Sequence, residues 1–177
     1  VADIDVGMTK EINPNTGLKF GFDMERFPTS FVKAYKKFCD DGWGEYDKTH
    51  AKRIYDIGMT AFDEMAYVKS GLMPGALETL DFLKGAGDHL VLLTKGDIRV
   101  QEKKIKSLKL DRWFGDIRVV DDKSQSNFML CARAHCDTFY SVGNSFSSDI
   151  RPALDIGWRA IFIPCHTWRI ESVDPGQ

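Results

Sequence analysis

The sequence predicts an α/β protein in which a parallel sheet is covered by helices on both faces and a small helical module is attached to it. Two observations carry that prediction. From about Leu72 onward, short apolar runs rich in β-formers alternate with segments whose apolar residues recur at helical spacing, and the runs are nearly continuous, as in strands buried on both faces. Residues 1 to about 70 instead carry two amphipathic helical patterns. The expected division is a helical region over 1–70 and an α/β core over 71–177, with no internal repeat and no low-complexity tract.

The elements follow in order. EINPNTGLKFGFD is rich in turn residues and reads as an irregular loop. PTSFVKAYKKFC places Phe31, Ala34, Tyr35 and Phe38 on one helical face, with Pro28 and Ser30 as start signals. GWGEY supplies a break. KTHAKRIYDIGMTAFDEMAYV repeats the pattern with Ile54, Ile57, Ala61 and Met65, so the two helices are expected to pack as an antiparallel pair. In the core, Pro74-Gly75 opens a helix with a stripe of Leu77, Leu80, Leu83 and neighbouring Phe82, ended by Gly85-Ala86-Gly87. HLVLLTK reads as a strand, 97–108 as a helix, RVVDDK as a strand and SQSNFMLCARAH as a helix. TFYSVGN, SSDIRPALDIG and RAIFIP complete the alternation as strand, helix and strand.

Composition narrows the function classes. With 177 residues the chain can bury one real core and carry a small appendage. Lys+Arg 24 against Asp+Glu 26 leaves a net charge of -2, with no block of one sign that would track nucleic acid or anionic lipid. Small-molecule partners are therefore expected, not nucleic acid or membrane. The longest apolar runs are strand-sized, far below the roughly 20 residues of a membrane span. Cys39, Cys131, Cys136 and Cys165 form no CxxC pair and the four histidines are scattered, so neither a zinc site nor a redox motif is signalled. Reduced thiols and a cytoplasmic location are expected. Trp43, Trp113, Trp158 and Trp168 read as core or interface packing.

In an open parallel sheet, ligands sit beyond the carboxyl ends of the strands. Here those ends carry Thr94-Lys95-Gly96-Asp97, then Asp121-Asp122-Lys123, then Gly143-Asn144-Ser145 followed by Asp149, then Pro164-Cys165-His166. Each residue type has an ordinary structural use: Thr as a β-former or cap, Lys as a solvated loop charge, Asp in a first helical turn, His in an exposed loop. Their joint occurrence at successive strand ends suits a phosphate and its metal. Thr94 can donate to a phosphoryl oxygen, Lys123 can neutralise charge, and Asp149 offers a hard oxygen to Mg2+.

At these residues the sequence resembles the haloacid dehalogenase superfamily. LVLLT with Thr94 is similar to its second motif, VVDDKS with Lys123 to its third, and GNSFSSD, with Gly143, Asn144 and Asp149, to its fourth. LTKGDIRVQEKKIKSLKL, VGNSFSSDIRPAL and IFIPCHTW resemble one phosphatase-like branch more closely, a branch that commonly shows Asn after that Gly. The resemblance, over roughly residues 20–170, implies a Rossmann-like three-layer core with a helical cap. It also implies a Mg2+-dependent phosphatase acting on a small phosphorylated metabolite through an aspartyl-phosphate. Thr94 and Lys123 would then be catalytic; Thr94, Lys95, Gly96, Asn144 and Lys123 would bind substrate phosphate; Asp149 and Asn144 would hold the metal.

The family's nucleophile lies on a central strand ending Asp-x-Asp-x-Thr. VADIDVGMT offers Asp3, Asp5 and Thr9, but only Val1 and Ala2 precede Asp3 and the Thr comes two positions late. The stretch resembles the branch's cap region, so the first motif is expected upstream of Val1; the alternative is an interrupted motif with Asp3 as nucleophile and Asp5 as acid/base. Two other functions stay open: a 2-haloacid dehalogenase, which needs no metal and fits the Asn144-to-Asp149 spacing less well, and an inactive binding module lacking the nucleophile. Substrate identity and oligomeric state are open as well.

Overall fold

A computed structural model describes residues 1–165. The chain divides into two units, Val1–Phe82 with Gly96–Asp111 and Leu83–Lys95 with the chain from Arg112 onward.

The first unit is helical. Helix α1 (Ala2–Met8) carries Asp3 and Asp5 in its first turn, where the helix dipole favours negative charge. Its Asp5 receives two hydrogen bonds, of 3.0 and 3.2 Å, from the guanidinium of buried Arg26, which also donates to the Gly21 carbonyl. The loop that follows folds back on itself through an antiparallel bridge between Ile12 and Lys19. Buried Asn13 organises it: its Oδ1 accepts from the Asn15 N–H at 2.9 Å and its Nδ2 donates to Glu25 at 3.0 Å. That is an Asx turn, the local bond that lets Asn replace regular structure.

Helices α2 (Arg26–Asp40) and α3 (Lys48–Met59) pack antiparallel as expected. Pro28 in the first turn of α2 lies against Gly58 near the end of α3, and the Tyr35 hydroxyl accepts from the N–H of Asp47, the α3 N-cap, at 3.1 Å. Gly58 is there for closeness: a Cβ would come within 2.8 Å of Pro28 Cα. The second amphipathic pattern is not one helix, however. It is interrupted by a 3₁₀ turn (Thr60–Phe62) and an extended Asp63 before α4 (Glu64–Ser70). The Thr60 hydroxyl donates to the Ile57 carbonyl at 2.7 Å, the back-bonding by which Thr competes with a continuous helix. Ile57 and Met65, expected on one buried stripe, are 61% and 75% exposed.

Helix α5 (Ala76–Gly85) forms where its caps predict, yet no residue of it is buried and Phe82 is largely exposed. Helix α6 (Ile98–Ser107) begins at Asp97, whose carboxylate accepts from the Arg99 N–H at 2.9 Å.

The second unit carries the strands: β1 (Val91–Lys95), β2 (Asp116–Val120), β3 (Tyr140–Gly143) and β4 (Arg159–Phe162). All pairing is parallel, with Thr94 opposite Val119, Lys95 opposite Val120 and Val142 opposite Ile161. The fold is therefore mixed α/β with parallel strands and flanking helices. The single sheet expected from the sequence is, among the described residues, two sheets of two strands, β1–β2 and β3–β4. Pairing demands a backbone spacing of about 4.8 Å. A side-chain bond, from Lys95 Nζ to Ser148 Oγ at 2.9 Å, reaches from the end of β1 to the segment after β3.

Helix α7 (Gln125–Met129) is shorter than its pattern suggests. Its end is tightened by i→i+3 bonds from Cys131 and Ala132, and Arg133 is drawn instead to Asp116 at 2.6 Å. After β3 comes a π-helical turn (Phe146–Ile150) that leads into α8 (Arg151–Asp155), in place of one regular helix. Phe139, Phe128 and Trp158 form an aromatic cluster beside these elements, with Phe139 and Trp158 stacked 4.9 Å apart. Trp113 is buried and Trp43 is 79% exposed. His166 and Trp168 lie outside the described residues.

Candidate active site at the strand ends

The strand ends of the second unit converge through the turn after β3. Ser145 caps that turn: its hydroxyl accepts from the Ser148 N–H at 3.1 Å, and its own N–H donates to Asp149 Oδ2 at 2.9 Å. Ser141, on β3, donates to the Asp149 carbonyl at 2.7 Å. Asp149 is thereby fixed at both ends, backbone and carboxylate, and it is buried. Its other oxygen, Oδ1, pairs with Lys123 Nζ at 2.5 Å. The pair is largely withdrawn from water, with the two side chains 18% and 8% exposed, so solvent and salt screen it less than a surface pair.

Gly143 makes this possible. A Cβ at that position would overlap the Asp149 side chain, so only glycine lets the carboxylate lie against the end of β3. π-Turns are rare and concentrate at functional sites. Here the wider turn sets Ser148 and Asp149 as consecutive residues that each hold a lysine: Ser148 receives Lys95 and Asp149 receives Lys123.

Asp122, just before Lys123, is held below the usual carboxylate range by hydrogen bonds from the Ser124 hydroxyl and N–H and from Asn127, with Lys95 adding electrostatic attraction. The Ser124 N–H lies 3.0 Å and Asn127 Nδ2 3.1 Å from its Oδ1.

The structure thus places the residues named from the sequence as follows. Lys123 and Asp149 are in direct contact. Lys95 bonds to the residue beside Asp149, Thr94 precedes Lys95 on β1 and is half-buried, and Asn144 stands between Gly143 and Ser145. Gly96 groups with the first unit and has φ +139, a conformation that favours glycine. Asp3 and Asp5 also belong to the first unit, on α1. Sequence reasoning did not single out Ser141 and Ser148, and named Ser145 at a strand end without giving it a role. The signal was the run of serines in YSVGNSFSSD, but serine is common in turns and does not announce which bond it makes.

As a metal site the arrangement is incomplete. Among the described residues no group of three or more His, Cys, Asp or Glu side chains is placed to hold a metal ion. Mg2+ ordinarily takes one or two carboxylates and fills its octahedron with waters and substrate phosphate oxygens. Asp149 is one such carboxylate, fixed in place and with lone pairs beyond those given to Lys123 and Ser145, and Asn144 follows Gly143 with an amide oxygen. Both supply oxygen of the hard type that magnesium takes.

No protein-family model and no curated protein sequence matches the chain. Solved structures do. A haloacid dehalogenase-like family hydrolase from Xanthomonas campestris superposes with a TM-score of 0.69 at 22% identity over 92% of this chain. The chain spans 64% of that protein's length. YfnB from Bacillus subtilis, a HAD-hydrolase solved bound to magnesium, superposes with a TM-score of 0.57 at 18% identity, over 91% of this chain and 68% of its own. The chain has the fold of the haloacid dehalogenase-like hydrolases.

Proposed function

We propose that the chain is part of a Mg2+-dependent phosphatase acting on a small phosphorylated metabolite through an aspartyl-phosphate. The observation that carries this reading is the pair of half-buried Lys123 with buried Asp149, held by Ser145 and made room for by Gly143, at the end of a parallel strand. A preorganised ammonium in a site of low dielectric stabilises the charge that develops on a transferring phosphoryl group. Thr94 would donate to a phosphoryl oxygen, Lys123 would carry the charge, and Lys95, Gly96 and Asn144 would complete the phosphate contacts. Asp149 and Asn144 would be this chain's ligands to the metal, as the magnesium bound in YfnB encourages. Bound there, Mg2+ would offset the repulsion between an anionic nucleophile and the phosphate. Residues 1–70 would serve as the helical cap and 71–177 as the Rossmann-like core. A reducing, cytoplasmic setting accords with the free thiols of Cys39, Cys131 and Cys136.

The mechanism needs an attacking carboxylate. We assign Asp3 and Asp5 to the cap and not to that role, because they stand on a helix and Asp5 is committed to Arg26. The test is release of phosphate from p-nitrophenyl phosphate with Mg2+, measured for this chain and for a form extended by an apolar strand ending Asp-x-Asp. The reading expects turnover in the extended form. Absence of turnover there would refute it, and chloride release from a 2-haloacid that persists in EDTA would favour the dehalogenase.

A further inference from the structure

Where helices α4 and α6 of the first unit meet, two polar side chains are left poorly provided for. Tyr67, on α4, is half-buried, and its hydroxyl oxygen is closed off from solvent with no hydrogen-bond partner among the described residues. Lys104, on α6, is half-buried too, and its ammonium lies over the Tyr67 ring, 5.5 Å from the centroid. No carboxylate pairs with it among the described residues, whereas Lys36, Lys37 and Lys52 are exposed and each hold an aspartate one helical turn on. A ring face attracts a cation less than a carboxylate does, so it replaces only part of the hydration that packing removes. Burial accordingly pushes the Lys104 ammonium below its usual value. Burial and, after it, the charge of Asp63 push the Tyr67 phenol above its own, so the hydroxyl keeps its proton and remains a donor.

We propose that Lys104 is an acylation site, attacking small activated acyl donors such as acyl phosphates in preference to the exposed lysines. The inference is independent of the strand-end site. A desolvated lysine without a counter-charge is the setting in which the amine becomes a nucleophile. At pH 8 an ordinary lysine, with its value near about 10.4, keeps only about one amine in 250 neutral, and each ten-fold fall in proton affinity multiplies that fraction by about ten. Part of the side chain stays open to solvent, so a small donor can reach it. The neutral nitrogen attacks the acyl carbon and an N–C bond forms. The C–O bond to phosphate breaks, phosphate leaves with that electron pair, and the proton of the amine passes to water. The product relieves both groups: an amide carries no charge to desolvate, and its carbonyl brings a hydrogen-bond acceptor to the contact that holds the Tyr67 hydroxyl.

The test is incubation of the chain with acetyl phosphate at pH 8, followed by proteolysis and mass spectrometry to give an initial rate of acetylation at each lysine. Lys104 is expected to react at least about five-fold faster than Lys36, Lys37 and Lys52 in the folded chain. In guanidinium chloride, where the helices are lost, the four should react within about two-fold of one another. Tyr67→Ala, which uncovers the ammonium, should bring Lys104 down to the rate of the exposed lysines. A folded-chain rate at Lys104 no higher than theirs would overturn the proposal. An excess that persists in guanidinium chloride would assign it to local sequence and overturn the structural argument, and a full excess in Tyr67→Ala would refute the part played by the ring.

Discussion

Replacing Gly143 by alanine tests the geometry of the site at its tightest point. The added Cβ would overlap Cβ, Cγ and Oδ2 of Asp149, so the carboxylate must leave its position. It cannot do so without loss, because Oδ2 accepts from Ser145 N–H at 2.9 Å and Oδ1 pairs with Lys123 at 2.5 Å. Overpacking in a close-fitted site costs about 1–3 kcal/mol. A hydrogen bond to a charged group contributes about 1.5–3 kcal/mol more when broken. A combined loss of about 3 kcal/mol lowers Tm by roughly 6–12 °C in a chain of this size, at about 2–4 °C per kcal/mol. Calorimetric unfolding reads the shift, and titration with methyl phosphate reads the displaced Lys123. A Tm within about 2 °C of the wild type, together with unchanged phosphate affinity, would refute the claim that Asp149 depends on the bare backbone of Gly143.

Other expectations follow from the same contacts. Gly58→Ala gains about 1 kcal/mol of helix propensity but brings its Cβ to 2.8 Å from the Pro28 backbone, and the overpacking, about 1–3 kcal/mol, should win; a raised Tm would contradict that packing. Asp5→Ala takes from buried Arg26 the carboxylate it pairs with and should cost about 3 kcal/mol in a urea titration, while leaving phosphate turnover of the extended form unchanged; a lost activity would return Asp5 to the chemistry. Burial pushes the Asp97 carboxyl up, but the hydrogen bonds from Arg99 and from the N–H of Met24 outweigh it, so its folded value lies below the usual range. A group depressed on folding contributes stability that is full above its unfolded value of about 3.9 and is lost as pH falls through the folded one. The Asp97 part of the urea midpoint should therefore hold down to about pH 4 and be lost as the pH falls further, and Asp97→Asn should flatten that loss; an equal loss in the variant would contradict the assignment.

The strands were legible because VLLT, RVV, YSV and RAIF are runs rich in β-formers between turn signals, although the burial on both faces that such runs predict is not met: Tyr140, Val142, Ile161 and Phe162 are exposed. The chemical residues were legible through position: Lys123 and Asp149 each follow a strand end, and the contact between them bridges 26 residues of chain. What the sequence concealed was nonlocal. Whether β1 and β3 pair depends on spacing between backbones, which no composition encodes, and the bond from Lys95 to Ser148 joins residues 53 apart. The same holds for Asp97 and Met24, 73 residues apart. The broken second helix was hidden for a different reason. Thr60 keeps the helical period of its neighbours, and its hydroxyl's bond to Ile57, the 3₁₀ turn and the extended Asp63 that break the helix leave no mark on that period.

Phosphate release from p-nitrophenyl phosphate in Mg2+ by the form extended with an Asp-x-Asp strand, compared with its Lys123→Met variant, tests the site most directly. Removing one preorganised stabiliser of transition-state charge lowers kcat by about 100-fold or more. The pair at the end of the strands predicts a loss of that size. Turnover in the variant within about two-fold of the parent would contradict the claim that this pair handles the phosphate.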